Sequence, residues 1–370
     1  MNTENFEYYE NYMRRALYLA EKGEGKVNPN PLVGAVIVKN DEIVGEGYHE
    51  YFGGHHAEVN ALKMAGDNAK GTDVYVTLEP CSHYGKTPPC AEALVKAGVK
   101  KVIIAMKDPN KLVAGRGISI LESNGIEVVT GVLEKEAKKL NEVFIKYITT
   151  KKPYIVLKTA MTLDGKISTV TGKSKWISGE KSREYVHNLR NKYMGIMVGI
   201  GTIIADDPLL TTRLKNKKGR NPVAIIVDSA LNIPLSSNIL NTNHERKIIV
   251  ACSEKYDKEK KSFLEEKGIK VIVTPSDKCK VNLHYLVNEL GKEGIDSILL
   301  EGGSTLNFSA LKECVVDKVI SFIAPKIFGG INAKTPVGGE GVKEVNEAVE
   351  LKDISYRKID EDLCIEGYIK

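Results

Sequence analysis

His56, Ala57 and Glu58 stand at the head of a stretch with helical apolar spacing, Cys81 follows Pro80 just after a short apolar run, and Cys90 comes after an eight-residue insert. One imidazole and two thiols form a donor set suited to zinc. Three protein ligands leave a fourth tetrahedral position open, where a metal holds water and lowers its pKa to about 7. Glu58 stands two residues beyond His56, where zinc deaminases carry a Glu that is not a ligand and serves as general acid and base. A closed zinc site that only braces the fold would want a fourth ligand and would give Glu58 no task. Four of the seven histidines, His49, His55, His56 and His83, fall in this same short region. A lone histidine is usually solvated or packed in a core, but histidines clustered with cysteines favour a metal.

The elements that must hold these groups read as α/β. Residues 8–22 carry helical spacing, and 33–38 and 42–47 read as two strands joined by Asn40-Asp41. Helix 56–65, strand 74–78, helix 91–97, strand 102–105, helix 118–123 and strand 127–130 follow, an alternation that predicts a sheet with helices on both faces. The polar stretch Thr149-Thr150-Lys151-Lys152-Pro153 marks a boundary. A domain over 1–148 and a second over 153–370 are therefore expected. Strands of the second are expected near 154–160, 195–199, 223–228, 247–251, 270–273, 297–300 and 318–323.

The 370 residues suffice for two such cores, and 42% hydrophobic with 27% charged content excludes a mainly disordered chain. A net charge of +5 with scattered lysines, as over 135–139, fits a solvated surface better than a nucleic-acid stripe. No run is apolar enough to span a membrane, and the acidic, aromatic start is unlike a signal peptide, so a cytoplasmic protein is expected. Cys252, Cys279, Cys314 and Cys364 lie in or beside apolar stretches and read as buried, inert thiols.

Zinc deaminases place a Glu two residues beyond the ligating His and a Pro-Cys pair after a strand, with two residues between their cysteines rather than eight. The longer insert here, Ser82-His83-Tyr84-Gly85-Lys86-Thr87-Pro88-Pro89, could loop over the pocket and contact substrate. Asn28-Pro29-Asn30-Pro31 reads equally as a proline-stiffened turn or as an amide that recognises a pyrimidine edge. Together, Asn28-Pro29-Asn30-Pro31-Leu32-Val33-Gly34-Ala35-Val36, His56-Ala57-Glu58 and the segment 79–90 resemble the bifunctional pyrimidine deaminase and reductase of riboflavin biosynthesis. The lengthened loop between the cysteines is the most specific element. The resemblance implies a cytidine-deaminase-like first domain with zinc on His56, Cys81 and Cys90, and with Glu58 as the catalytic proton carrier. It also implies a diaminopyrimidinone substrate bearing a ribosylamino 5-phosphate, contacted by Asn30, His49, His83 and Lys86, with Lys86 serving the phosphate.

Physical reading says less about the second half. Gly199-Ile200-Gly201 starts like a dinucleotide loop but lacks a third glycine at that spacing. Strand 297–300 leads into Glu301-Gly302-Gly303-Ser304-Thr305, which reads either as a phosphate-accepting helix start or as a plain tight turn. Lys158, Arg190 and Arg213 taken singly are ordinary surface cations, and a sole tryptophan such as Trp176 is more often partly buried core than a cofactor contact. Yet Lys158 with 161–166, Ser174-Lys175-Trp176-Ile177, 205–213, Val227-Asp228-Ser229 and Leu300-Glu301-Gly302-Gly303 resemble the reductase half of the same family, with departures at Lys111 and Asn232. The resemblance then covers nearly the whole chain. It implies a dihydrofolate-reductase-like domain that uses NADPH to reduce a ribosyl group to ribityl. Lys158, Ser174, Arg190, Leu210, Arg213 and Glu301 would line the substrate; Ala160, Trp176, Thr202, Asp206, Ser229, Gly302 and Gly303 would meet the cofactor.

The partner expected is thus a small phosphorylated pyrimidine, without nucleic acid or membrane, in a homo-oligomer of a kind common in the family. Two rivals remain at this level. A base-editing protein would want a basic groove with aromatic platforms, for which 6% aromatic content offers little. The other keeps the deaminase and makes the second half a non-catalytic nucleotide-binding module.

Overall fold

Val36, Val38, Tyr75 and Ile103 pack on one face of a sheet and Ala35, Ile37, Val74, Val76 and Ile104 on the other, the alternation expected of strands covered on both sides. The computed structural model describes residues 3–84, 88–110, 113–215, 219–276 and 279–370, with side chains from residue 7 onward. Lys86 and Lys111 lie outside these segments. Contacts divide the chain into two units, Met1–Thr150 and Lys151–Lys370.

In the first unit α1 (Thr3–Glu21) precedes the hairpin β1 (Gly34–Lys39) and β2 (Glu42–Tyr48), followed by α2 (Ala57–Ala65), β3 (Asp73–Leu78), α3 (Cys90–Ala97), β4 (Lys101–Met106), α4 (Arg116–Ser123), β5 (Glu127–Thr130), α5 (Glu134–Leu140) and α6 (Glu142–Thr150). The sheet order is β2-β1-β3-β4-β5, with β1 antiparallel to both neighbours and β3, β4 and β5 mutually parallel. Ala57, Ala61 and Ala65 of α2, Leu94 of α3 and Leu121 of α4 fill one face, while Met13 and Ala16 of α1 and Ala137 of α5 fill the other. The α2 helix lies so close to the hairpin that a Cβ on Gly47 would stand 2.4 Å from the Ala57 carbonyl oxygen, so glycine alone admits the contact.

The expected polar boundary is shorter than its composition suggests. Thr149 and Thr150 belong to α6, because each hydroxyl donates 2.7 Å back to a carbonyl four residues earlier, on Ile145 and Lys146. Lys151, Lys152 and Pro153 alone precede the next strand.

The second unit contains β6 (Tyr154–Thr162), α7 (Glu180–Lys192), β7 (Gly195–Gly199), α8 (Ile200–Asp206), β8 (Val223–Val227), β9 (Ile248–Cys252), α9 (Lys258–Glu266), β10 (Lys270–Val273), α10 (Leu283–Lys292), β11 (Ser297–Leu300), α11 (Ser304–Lys312), β12 (Lys318–Ala324), β13 (Leu351–Ile359) and β14 (Asp362–Ile369). The nine strands take the order β10-β9-β8-β7-β11-β6-β12-β14-β13, parallel from β10 through β12. Ile155, Met197, Ile225 and Ile249 meet α10 and α11 on one face; Ile196, Ala224, Ile248 and Leu264 pack on the other. The β13–β14 hairpin is an addition to the strands expected from sequence. Residues 352–358 are all exposed, so no buried face imposed an apolar alternation on β13.

Two of the four thiols expected to be buried are not. Cys252 and Cys364 are buried, but Cys279 and Cys314 are exposed at positive φ, 54° and 51°. Cys314 ends α11, its amide donating to the Leu311 carbonyl, a position set by turn geometry rather than apolarity. No helix among the described residues is long and apolar enough to cross a membrane.

Candidate active sites

His56 is the residue immediately before α2, with extended backbone (φ −70°, ψ 160°), which swings its ring away from the helix axis toward the ends of β3 and α3. There its Nδ1 lies 3.2 Å from the Cys90 Sγ and 3.5 Å from the Cys81 Sγ. The ligand atoms of all three residues fall within 4.8 Å of one another. Cys81 follows β3 and Cys90 opens α3, whose backbone N–H donates 3.3 Å to the Cys81 sulfur. Hydrogen bonding from Cys90 and His56 pulls the Cys81 thiol well below its ordinary pKa despite burial, and the same contact pushes Cys90 up. Two cysteine sulfurs and one imidazole thus crowd a space that a cation would fill, displacing the protons they share. Zinc suits this donor set.

Glu58 points inward from the first turn of α2, 3% exposed, with its carboxyl against the Cys90 thiol. Burial, reinforced by the Cys81 charge, pushes its pKa up to about 7. It is a buried acid beside the cluster of His56, Cys81 and Cys90 and not one of its three members.

Asn30 and His49 arrive together. His49 Nδ1 lies 3.0 Å from the His55 carbonyl oxygen, which can only accept, so Nδ1 carries the proton and Nε2 accepts from the Asn30 amide nitrogen at 3.2 Å. Burial keeps the His49 ring neutral, and it stands edge-on to His56 with centroids 5.6 Å apart. The loop before β1 is itself pinned, because Asn141 exchanges two hydrogen bonds with the backbone of Leu32, at 2.9 and 3.0 Å. The amide reading of this loop therefore gains a neighbour suited to it, while its two prolines remain a stiff turn with a cis Asn28–Pro29 bond. His83 is exposed in the loop after Cys81, and Lys86 falls outside the described residues.

Glu79 was part of the motif without a role. Its buried carboxylate accepts N–H bonds from Asp108 and Gly115 on Oε2 and from Gly117 on Oε1, each at 3.1 Å, and a longer one from Ile118. It caps α4 from outside the helix and ties that helix to the strand end bearing Cys81. The fit is close, since a Cβ on Gly117 would stand 2.0 Å from the Pro80 carbonyl oxygen. A charged residue directly before Pro-Cys was the available signal, but nothing local revealed four partners about thirty or more residues away.

In the second unit the expected groups line the C-terminal edge of the parallel strands. Glu301, at the end of β11, receives Arg190 of α7 through Nε (2.6 Å) and Nη2 (2.9 Å), and Lys158 of β6 stands 3.8 Å from its Oε2. Arg190 also donates to the Thr211 carbonyl, at 3.1 Å. The segment that follows α8 is held from several directions: Arg246 donates to the Leu209 and Leu210 carbonyls, Asn221 accepts from the Thr212 amide, and His187 Nδ1 accepts from the Arg213 amide at 3.3 Å. These ties hold Leu210 buried at φ 53° and place Arg213 beside the cluster. Burial between Arg190 and Arg213 pushes the His187 pKa down to about 4, so this ring is neutral. Neither Arg246 nor His187 was distinguished in sequence from an ordinary polar residue.

Gly302 (φ 125°) and Gly303 (φ 93°) make the turn into α11, and the Gly302 carbonyl accepts from the Gly199 amide at 3.0 Å. The two glycine connections read separately in the sequence are one structure, with space beside Gly302 and Gly201 that side chains would occupy. Thr202 and Asp206 lie on α8 beyond Gly199, and Ala160 lies on β6. Ser229 follows β8, its hydroxyl accepting from the Val281 amide at 3.3 Å. Ser174 and Trp176 belong to the segment before α7. Trp176 is 64% exposed under the Arg183 guanidinium, 4.7 Å away, and so is not the partly buried core residue that a sole tryptophan usually is.

Comparison with known proteins agrees with both halves. Residues 7–106 match the cytidine and deoxycytidylate deaminase zinc-binding region, and 153–365 match the RibD C-terminal domain. The riboflavin biosynthesis protein RibD of Actinobacillus pleuropneumoniae is 49% identical over 355 residues, 96% of this chain and 94% of that one. The chain belongs to the RibD family. The RibD protein of Aquifex aeolicus is 45% identical, covering 96% of this chain and 97% of its own. Among solved structures, Acinetobacter baumannii RibD superposes with a TM-score of 0.89 at 38% identity, covering 99% of each chain. A Thermotoga maritima protein described as a diaminohydroxyphosphoribosylaminopyrimidine deaminase and 5-amino-6-(5-phosphoribosylamino)uracil reductase gives 0.87 at 39% identity, over 99% of this chain and 100% of that one. This RibD chain is thus a bifunctional deaminase and reductase of riboflavin biosynthesis, with a deaminase fold first and a dihydrofolate-reductase-like fold second. Its cofactors are zinc and NADPH.

Proposed function

We propose that residues 1–148 deaminate a diaminopyrimidinone carrying a ribosylamino 5-phosphate and that residues 153–370 then reduce its ribosyl group to ribityl. The observation that carries the first half is the convergence of His56, Cys81 and Cys90 beside a buried Glu58 outside the ligand set. Zinc on those three residues supplies Lewis acidity and an activated water. Glu58 takes a proton from the attacking water and returns one to the amino nitrogen, so that the ring carbon–nitrogen bond breaks and ammonia departs. Asn30, oriented by neutral His49, reads the edge of the pyrimidine, and His83 and Lys86 complete the substrate contacts from the loop between the cysteines.

In the second half NADPH supplies the hydride. Glu301, held as a carboxylate by Arg190 and Lys158, orients ribosyl hydroxyls together with Ser174 and the backbone at Leu210, and Arg213 meets the phosphate. Ala160, Trp176, Thr202, Asp206, Ser229 and the Gly302–Gly303 turn receive the cofactor. The open space at Gly302, where backbone can approach a ligand closely, supports that assignment.

The protein works in the cytoplasm on a small molecule, without nucleic acid or membrane, as a homo-oligomer. Highly exposed apolar side chains late in the chain, Ile331 at 95%, Val345 at 92% and Tyr356 at 78%, support self-association. Light scattering of the purified protein tests the oligomer. Function is tested by zinc content and by turnover of the phosphorylated diaminopyrimidinone, following ammonia without NADPH and NADPH oxidation after its addition. Both signals are expected. Ammonia alone makes the second unit a binding module, and neither signal from zinc-loaded protein refutes the substrate.

A further inference from the structure

A depression of about 520 Å³ begins one residue beyond a ligand of the metal cluster. Ser82, the neighbour of Cys81, lines one side, and Gly115, Arg116 and Ser119, from the start of α4, line the other. Its size is that of a small-molecule subsite.

The positive groups around it are unequally available. The amides at the N-terminus of α4 would ordinarily attract an anion, but those of Gly115, Gly117 and Ile118 are already occupied by the Glu79 carboxylate. The Ser119 hydroxyl donates to the Gly115 carbonyl at 2.8 Å. Arg116 differs: it is exposed, and among the described residues its guanidinium has no carboxylate within ion-pair distance. Its backbone is nevertheless fixed, because Gly117 packs against the Pro80 carbonyl and Glu79 clamps the residues on both sides. An uncommitted guanidinium on a rigid base, facing a depression that adjoins the reaction centre, suits a planar two-point grip on a phosphate.

We infer that Arg116, with Ser82 opposite it, forms the subsite that holds the phosphate end of the substrate during deamination. The inference rests on the substrate reading given above. The metal cluster holds the ring and the depression takes the far end of the same molecule, so Arg116 distinguishes a phosphorylated substrate from a free nucleoside.

The test compares ammonia release from the phosphorylated diaminopyrimidinone and from its dephosphorylated counterpart, for zinc-loaded parent, R116M and R116K, without NADPH. Zinc content and melting temperature are measured on each protein. The ratio of kcat/KM for the two substrates is expected to fall at least tenfold in R116M, mainly through KM for the phosphorylated compound, with partial recovery in R116K, whose point charge lacks the fork. A ratio equal to the parent's overturns the subsite, as does equal damage to both substrates, which marks a purely structural role. A parent that releases no ammonia overturns the substrate reading and the subsite with it, whereas an active parent with an unaltered R116M ratio removes the subsite alone.

Discussion

Arg190 and Glu301 form a two-point ion pair in a site where the Glu301 side chain is only 7% exposed, with Lys158 3.8 Å away on the same carboxylate. Burial alone would raise the Glu301 pKa, but Arg190 and then Lys158 overcome it and bring the value to about 2. Because the folded pKa is depressed, the stabilisation is present above the ordinary carboxylate value of 4.5 and is lost as pH falls through the folded value.

Glu301→Gln leaves two buried cations without their anion and is expected to cost about 3–5 kcal/mol near neutral pH. Thermal unfolding across the acid range should show the gap between parent and variant narrowing as pH falls from about 5 toward about 2. A gap that stays constant would mean that Glu301 titrates identically in the folded and unfolded chains.

Glu58→Gln should retain one zinc per site yet lose ammonia release by about 100-fold to 10,000-fold, the range for removing a positioned proton carrier. Metal analysis alongside the rate separates the outcomes, and zinc loss in that variant would make Glu58 a ligand or brace instead.

Stripping the metal should change which thiols react. In zinc-loaded protein, the exposed Cys279 and Cys314 are the expected sites of alkylation. After chelation Cys81, whose pKa is lowered by its bonds to Cys90 and His56, should label first at mildly acidic pH. Peptide mapping reads the result; equal labelling of Cys81 with and without zinc would remove it from the metal site.

Much of the first unit was legible because one constraint dominated each signal. Strands β1, β3 and β4 are buried on a helix-covered sheet, so their apolar runs survive in sequence, and the His56, Glu58, Cys81, Cys90 pattern is set by zinc chemistry that allows few substitutes. What escaped reading depends on partners far along the chain. Glu79 looks like any loop acid until α4 returns to it, Arg246 like any cation until the Leu209 and Leu210 carbonyls meet it, and β13 has no buried face to leave a pattern. Gly199 opens an incomplete glycine loop and Gly302 a turn with two readings, and only the pairing of β7 with β11 makes them neighbours.

Glu79→Gln substitutes an amide for a carboxylate that accepts from four backbone N–H groups. The new NH₂ group meets donors, so the loss should be about 1–3 kcal/mol or more, felt first as looser zinc retention because α4 no longer braces the Cys81 strand end. Chelator competition against the parent measures it. Unchanged zinc retention with a lowered melting point would confine Glu79 to the fold.

The position of β11 between β6 and β7 has a consequence for how the molecule is made. β6 and β7 do not pair with each other; each pairs with a strand that leaves the ribosome about a hundred residues or more after it. The first unit has all its strands by Thr130, whereas the second sheet keeps a gap at its centre until Leu300 has been synthesised, and the glycine turn assigned to NADPH follows immediately. Vectorial synthesis therefore orders the two halves as the chemistry does: the deaminating half can close and take up its metal while the reducing half is still an open-seamed sheet awaiting its keystone strand.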